Sequence, residues 1–168
     1  DKTTKMLKYS ENAVGENRRY RFSRVLVAPE YGTVTMKVYD NTQHNIKVAD
    51  RESGWVAVDK TETSAEGKEV TSQELEPGTY KVTCSMHAWE LGWVYTTQHA
   101  AFGVTGCDLD TDPVKDHGKA RTNDGKVTIA NLAVGKYKVE VIHDGKVIET
   151  GDVEIKKDEA ATYAAKSL

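Results

Sequence analysis

Gly78-Thr79-Tyr80-Lys81-Val82-Thr83-Cys84-Ser85-Met86-His87-Ala88-Trp89-Glu90 begins as an alternating apolar and polar stretch and then breaks into a Cys-x-x-His pair. Period-two alternation after a turn glycine is the pattern of a strand with one buried face. A thiolate and an imidazole on a tight loop at the end of that strand begin a soft metal site, and such a site needs further ligands. The only upstream histidine is His44, in Asp40-Asn41-Thr42-Gln43-His44-Asn45-Ile46, just after another alternating stretch. Two nitrogens and one thiolate from two strand ends make a His2Cys set, which suits copper electron transfer.

The rest of the chain limits what such a site belongs to. Its 168 residues are enough for one full domain and a smaller one. No apolar run approaches the roughly 20 residues that span a bilayer, so no membrane span is expected. The net charge of −3 gives no reason to expect a nucleic-acid partner. Positive charge gathers near the start, at Lys2, Lys5, Lys8, Arg18, Arg19, Arg21 and Arg24, and reads as a solvated basic edge. The chain begins at Asp1 without Met or an apolar leader, which fits a mature product after signal-peptide removal.

Alternation recurs along the chain, and long 3.6-residue periodicity does not. Strands are predicted near Tyr20–Ala28, Thr33–Tyr39, Trp55–Val58, Thr79–Cys84 and Gly92–Thr97, then near Ala101–Val104, Lys126–Ala130, Lys136–Ile142 and Lys146–Ile155. Short strands separated by Gly, Asn and Asp read as an all-β sandwich. The chain also echoes itself. Leu75-Glu76-Pro77-Gly78-Thr79-Tyr80-Lys81-Val82 is matched by Leu132-Ala133-Val134-Gly135-Lys136-Tyr137-Lys138-Val139. Each copy is a turn glycine followed by a strand with an early Tyr, much as a tyrosine corner pins a Greek-key sandwich. Two β units are therefore expected, with a boundary between Val104 and Asn123.

That connector includes Asp108, Asp110, Asp112, Asp116 and His117. It lacks the central Gly and terminal Glu of an EF-hand loop, so it reads as an ordinary acidic loop with a solvated His117. Asn123-Asp124-Gly125 and His143-Asp144-Gly145 read as tight turns between strands. Cys84 has two readings. It is a thiolate ligand, or it pairs with Cys107 in a structural disulfide, the first expectation for an even cysteine count in an exported protein.

From about Tyr20 to Thr105 the chain resembles the cupredoxins, the small Greek-key copper domains of plastocyanin-like proteins. His44 with Asn45 resembles the first copper histidine and the neighbour that ties the two ligand loops together. Gly78-x-Tyr80-x-x-x-Cys84-x-x-His87 resembles the entry to the ligand loop. Cys84-Ser85-Met86-His87-Ala88-Trp89-Glu90-x-Gly92-Trp93-Val94 resembles a phrase of exported bacterial cupredoxin-like proteins. In a subset of those, a second small sandwich of the transthyretin or carboxypeptidase-regulatory kind follows. The segments His99–Thr105, Asn123–Ile129 and Val134–His143 resemble that continuation. The implied layout is an extension over 1–17, a copper domain over 18–105, a small β-sandwich over 106–158 and a tail over 159–168.

One departure from the family stands out. The axial Met is absent, and Glu90 occupies its place. A carboxylate is a harder ligand than a thioether and prefers Cu(II), so a bound Glu90 implies a tetragonal site with weaker blue colour and a lower potential. An open or water-filled axial position is the alternative. The resemblance thus implies a metal set of His44, Cys84, His87 and Glu90 around one mononuclear copper, with Asn45 and Trp89 close behind it. Trp89 and Trp93 either exclude water from the site or are plain core. His99 and His143 fall in the phrases that join the two units, as packing residues or as a secondary site.

These readings imply an exported, periplasmic or extracellular one-electron carrier that exchanges electrons with a redox partner, such as a cytochrome or a copper enzyme, through the exposed edge of His87. Copper storage or delivery is a second reading. A third is a metal-free accessory or adhesive sandwich stapled by Cys84 and Cys107, with residues 158–168 as an exposed linker. No Ser-His-Asp, phosphate-loop or binuclear-copper pattern points to an enzyme.

Overall fold

The computed structural model describes residues 12–17, 20–63, 66–99, 101–105 and 125–166. The strands among them are β1 (Asn12–Asn17), β2 (Val25–Pro29), β3 (Thr33–Val38), β4 (Gln43–Asp50), β5 (Val56–Thr63), β6 (Lys68–Thr71), β7 (Thr79–Thr83), β8 (Leu91–Thr97), β9 (Gly135–His143) and β10 (Lys146–Ile155). The fold is all-β. One sheet has the order β1-β3-β6 and another the order β2-β8-β7-β4-β5, while β9 and β10 pair by themselves. The pairs β1–β3 and β2–β8 are parallel, and the other pairs are antiparallel.

The core lies among the alternate residues of the two larger sheets. Val34, Met36 and Val38 of β3 and Val70 of β6 cluster with Ile46 and Val48 of β4, Tyr80 and Val82 of β7 and Val94 of β8. All are at most 2% exposed. Each such side chain contributes about 1.5–3 kcal/mol relative to staying in water. Tyr80 carries its polar tip with it: its hydroxyl donates to the Glu76 carbonyl over 2.9 Å. Tyr137 repeats this contact with the Ala133 carbonyl at 2.8 Å, so the sequence echo is also an echo of structure.

Several strand expectations change. The stretch from Tyr20 is not strand until Val25, because Tyr20 takes φ 55° and its N–H is held by the Asp40 carboxylate at 2.7 Å. Strands β1, β4 and β6 were not predicted. β1 lies within the stretch expected as an extension, yet it pairs along its whole length with β3. Ala101–Val104 and Lys126–Ala130 are not strands. They run close to each other instead: a methyl group added at Gly103 would meet Val127 Cγ2 at 2.3 Å. Val127 and Ile129 alternate as a strand would, but at 45% and 39% exposed they face no core among the described residues.

The later unit is described as a hairpin with flanking segments, and none of its described residues is buried. Its Asp144-Gly145 turn has φ 43° and 82°, the two positive values of the tight turn predicted there. A register shift between Val147 and Glu149 marks a bulge. Residues expected to form an exposed linker fold back onto it. The Tyr163 hydroxyl donates to Glu149 Oε1, and the Lys166 N–H donates to Glu149 Oε2 at 2.8 Å.

The hairpin tip docks on the larger unit. The Gly145 N–H donates to the Tyr95 hydroxyl, and Arg51 Nη1 donates to the Gly145 carbonyl at 2.8 Å. Arg51 lies over the Trp93 ring, 5.7 Å from its centroid. Burial holds the Tyr95 phenol above its ordinary pKa, with the Gly145 contact pulling the other way. A Cβ at Gly145 would meet Arg51 Nη1 at 2.8 Å and both Thr79 and Trp93 at 3.2 Å, at a positive φ. Gly145→Ala is therefore expected to cost about 1–3 kcal/mol and to release the tip. Thermal melts combined with limited proteolysis of the hairpin check this.

Candidate metal centre

Two neighbouring strands carry the ligand candidates. His44 is the second residue of β4, at its start, and is fully buried. Cys84 directly follows β7, which pairs with β4 through Lys47↔Thr83 and Val48↔Val82. That ladder ends next to Cys84 and three residues from His44, which is itself paired with Glu62 of β5. The loop from Cys84 to Glu90 joins β7 to β8, and the pair Thr83↔Leu91 closes it at its base. Inside the loop, the Glu90 N–H donates to the His87 carbonyl at 2.9 Å, a turn that points both side chains inward.

Ligand atoms of His44, Cys84, His87 and Glu90 all lie within 4.8 Å of one another. His44 Nδ1 is 3.2 Å from His87 Nδ1 and 3.1 Å from Glu90 Oε2. Cys84 Sγ is 3.5 Å from His87 Nδ1, and Glu90 Oε1 is 3.7 Å from that same nitrogen. Four ligands held about 2.0–2.3 Å from one ion in a tetrahedron stand about 3.3–3.8 Å apart; the pairs above lie near that range and the whole set reaches 4.8 Å, so a single cation would have to draw it slightly together. The chemistry of the set agrees. Four lone-pair atoms face one another, and Glu90 Oε1 is buried without a hydrogen-bond partner. A buried carboxylate oxygen left in this way is costly unless a proton or a cation meets it.

His87 is the way in. Its side chain is 16% exposed, while that of Glu90 is fully buried. Tyr20 packs edge-on against His87 with centroids 5.0 Å apart, and Trp89 tilts against it at 5.4 Å. The core reading of Trp89 is corrected: the ring is 68% exposed and covers His87 from the solvent side. Trp93, by contrast, is buried. Met86 is 45% exposed, on the outside of the loop.

Behind the ligands, Asn45 joins the two loops. Its N–H donates to Cys84 Sγ at 3.4 Å, its Oδ1 accepts from the Ser85 N–H at 3.4 Å, and its Nδ2 donates to Asp59 at 2.7 Å. Asp40 Oδ2 stands 3.3 Å from His44 Nε2, off the line of a hydrogen bond. The Nδ1 lone pair of His44 is free for a metal when its proton sits on Nε2, the nitrogen facing Asp40. His99 and His143 are exposed and lie outside the group of four. His143 adjoins the docked hairpin tip, with its Nε2 3.7 Å from Asp144. Cys107 and His117 lie outside the described residues, as does the acidic connector; among the described residues Cys84 is a free thiol.

Sequence reasoning missed Asn17. This last residue of β1 is fully buried, and its Nδ2 lies 3.3 Å from Glu90 Oε2. The two are brought together by a parallel pairing of β1 with β3, which leaves no local pattern around Asn17 to read.

No protein-family model and no curated protein matches the sequence. Among solved structures, a mutant amicyanin in its Cu(I) form is 19% identical, covering 52% of this chain and 84% of that one, with a TM-score of 0.44. Amicyanin from Paracoccus versutus is 14% identical over 52% of this chain and 83% of that one, with the same TM-score of 0.44.

Proposed function

We propose that this is a mononuclear copper protein of the cupredoxin type that carries single electrons, with His44, Cys84, His87 and Glu90 as the ligands. The observation that carries this reading is the convergence of two imidazole nitrogens, a thiol sulfur and a carboxylate oxygen within 4.8 Å, three of them on nearly inaccessible side chains. Soft sulfur with imidazole suits copper in either state. When bound, copper supplies a one-electron couple. The chain supplies the rest. The pairing of β4 with β5 and β7 holds His44 and Cys84 in place beforehand, which keeps rearrangement between oxidation states small. The Asn45 N–H donates to the sulfur and tempers its charge. Trp89 and Tyr20 shield the centre from water, and the edge of His87 is the exit for the electron to a redox partner such as a cytochrome or a copper enzyme.

Glu90 sets this centre apart from one with a thioether, favouring Cu(II) and a low potential. Copper storage or delivery uses the same ligands and differs in exchange rate. The resemblance to exported cupredoxin-like proteins supports a periplasmic or extracellular location. It also supports reading the later unit as a small transthyretin-like sandwich, a reading that the Tyr137 corner and the β9–β10 hairpin favour.

Titration of the reduced apoprotein with Cu(II), followed by visible absorption and EPR, tests the proposal. A one-to-one complex with an intense thiolate-to-copper band is expected. No band, with both cysteines blocked to thiol reagents, would replace it with a metal-free, disulfide-stapled accessory sandwich.

A further inference from the structure

We propose that Asn17 is a positioning residue for Glu90, and that β1 is therefore part of the metal centre. The inference rests on the copper reading above and adds a residue to it. Asn17 sits at the end of β1, and its backbone is fixed on both sides. Its carbonyl accepts from the Tyr39 N–H at 3.0 Å, and it bridges Phe22 in antiparallel fashion. A side chain on so fixed a backbone has little room to wander. Its Nδ2 reaches Glu90 Oε2 at 3.3 Å, in a place where neither residue meets solvent.

The orientation of the amide follows from charge. Turned over, Asn17 would set its own oxygen against a carboxylate oxygen, and the two would repel. Facing as it does, it leaves Oδ1 buried without a partner. An unmet buried carbonyl costs free energy, so the arrangement gives up a hydrogen bond on one side of the amide to make one to Glu90 on the other.

The two carboxylate oxygens are thereby made unequal. Oε2 is held by Asn17 and faces His44 Nδ1, whereas Oε1 has no hydrogen-bond partner and lies 3.7 Å from His87 Nδ1. Asn17 fixes the rotation of the carboxylate about its last bond, and so fixes which lone pairs face the centre. A ligand whose direction is set by a hydrogen bond behind it binds more tightly than one free to swing, and losing such a partner typically costs about 10–100-fold in metal affinity.

The test compares Asn17→Leu, which keeps bulk and removes the donor, with Glu90→Gln and with the double variant, each in the full chain. Cu(II) affinity, visible absorption and EPR are the readouts, with circular dichroism as a control on folding. Asn17→Leu is expected to weaken Cu(II) binding about 10–100-fold and to move the spectrum toward that of Glu90→Gln. In the Glu90→Gln background it is expected to change the spectrum no further. If the leucine variant fails to fold, Asn17→Ser removes the same amide with less steric demand.

An Asn17 variant that melts earlier but keeps the spectrum and affinity of the unaltered protein would reduce Asn17 to packing and overturn this inference alone. So would an equal spectral shift in the Glu90→Gln background. A missing thiolate band in the unaltered protein would instead remove the copper reading, and this inference with it.

Discussion

Replacing Cys84 with alanine is expected to abolish the thiolate-to-copper band completely while leaving a folded protein. The sulfur is the only thiolate among the four converging groups, and an imidazole–carboxylate set cannot reproduce a sulfur-to-copper transition. The cost to the apoprotein should be small. Cys84 lies at the rim of the core and is 5% exposed, so losing its sulfur removes its contacts with the Asn45 N–H and with His87 Nδ1 and a little packing, on the order of 1 kcal/mol. The disulfide reading predicts the reverse: no colour to lose and a drop in stability of roughly 3 kcal/mol. Absorption and thermal denaturation of the same sample separate the two. Bound metal adds a further mark, because a ligand present at 100 times its Kd stabilises the folded state by about 2.7 kcal/mol, an increment that Cys84→Ala should largely forfeit.

The second large effect is on the fold. Tyr80→Ala is expected to cost about 3–5 kcal/mol, enough to unfold much of a marginally stable domain. Tyr80 is the largest fully buried side chain among the described residues, and it stands on β7, the strand that delivers Cys84. Tyr80→Phe separates the ring from its hydroxyl. It removes only the bond to the Glu76 carbonyl and should cost about 1 kcal/mol. Tyr137→Phe, which breaks the matching bond at a half-exposed position, should cost less. A chemical-denaturation series over the three variants would rank them. Equal losses for Tyr80→Phe and Tyr137→Phe would mean that burial does not distinguish the two corners.

How much of this was legible in the sequence varied from element to element. β7 and its loop were readable because one side of the strand is buried and the other is not, so alternation survives in the residues themselves. β4 was not, because His44, Asn45 and Ile46 are buried in succession, and two of the three are polar. Their burial is decided by what they meet, and apart from Asp40, four residues before His44, those partners, Glu90, Cys84 and Asp59, are distant in sequence. Lys126–Ala130 failed the opposite way: it alternates well, but alternation states which face is apolar and not whether anything covers it. The four ligand candidates came from local spacing plus resemblance. Asn17 had neither, since its role depends on a partner delivered from a distant loop.

The parallel pairings bear on the order of assembly. β1 and β3 are separated by β2 alone, whereas β2 lies beside β8 with β3 to β7 between them in sequence, so this second pairing closes a long stretch of chain. Such non-local topologies fold slowly, because the entropy of closing the loops is spent first. Asn17 and His44 come from the first part of the chain, and Cys84, His87 and Glu90 follow much later. The pocket is consequently a late product of folding, complete only once both sheets have formed. Before the sheets form, Cys84, His87 and Glu90 stand together on one short loop but lack His44, so on the proposed copper reading the full ligand set exists only in the folded protein, with its opening beside His87.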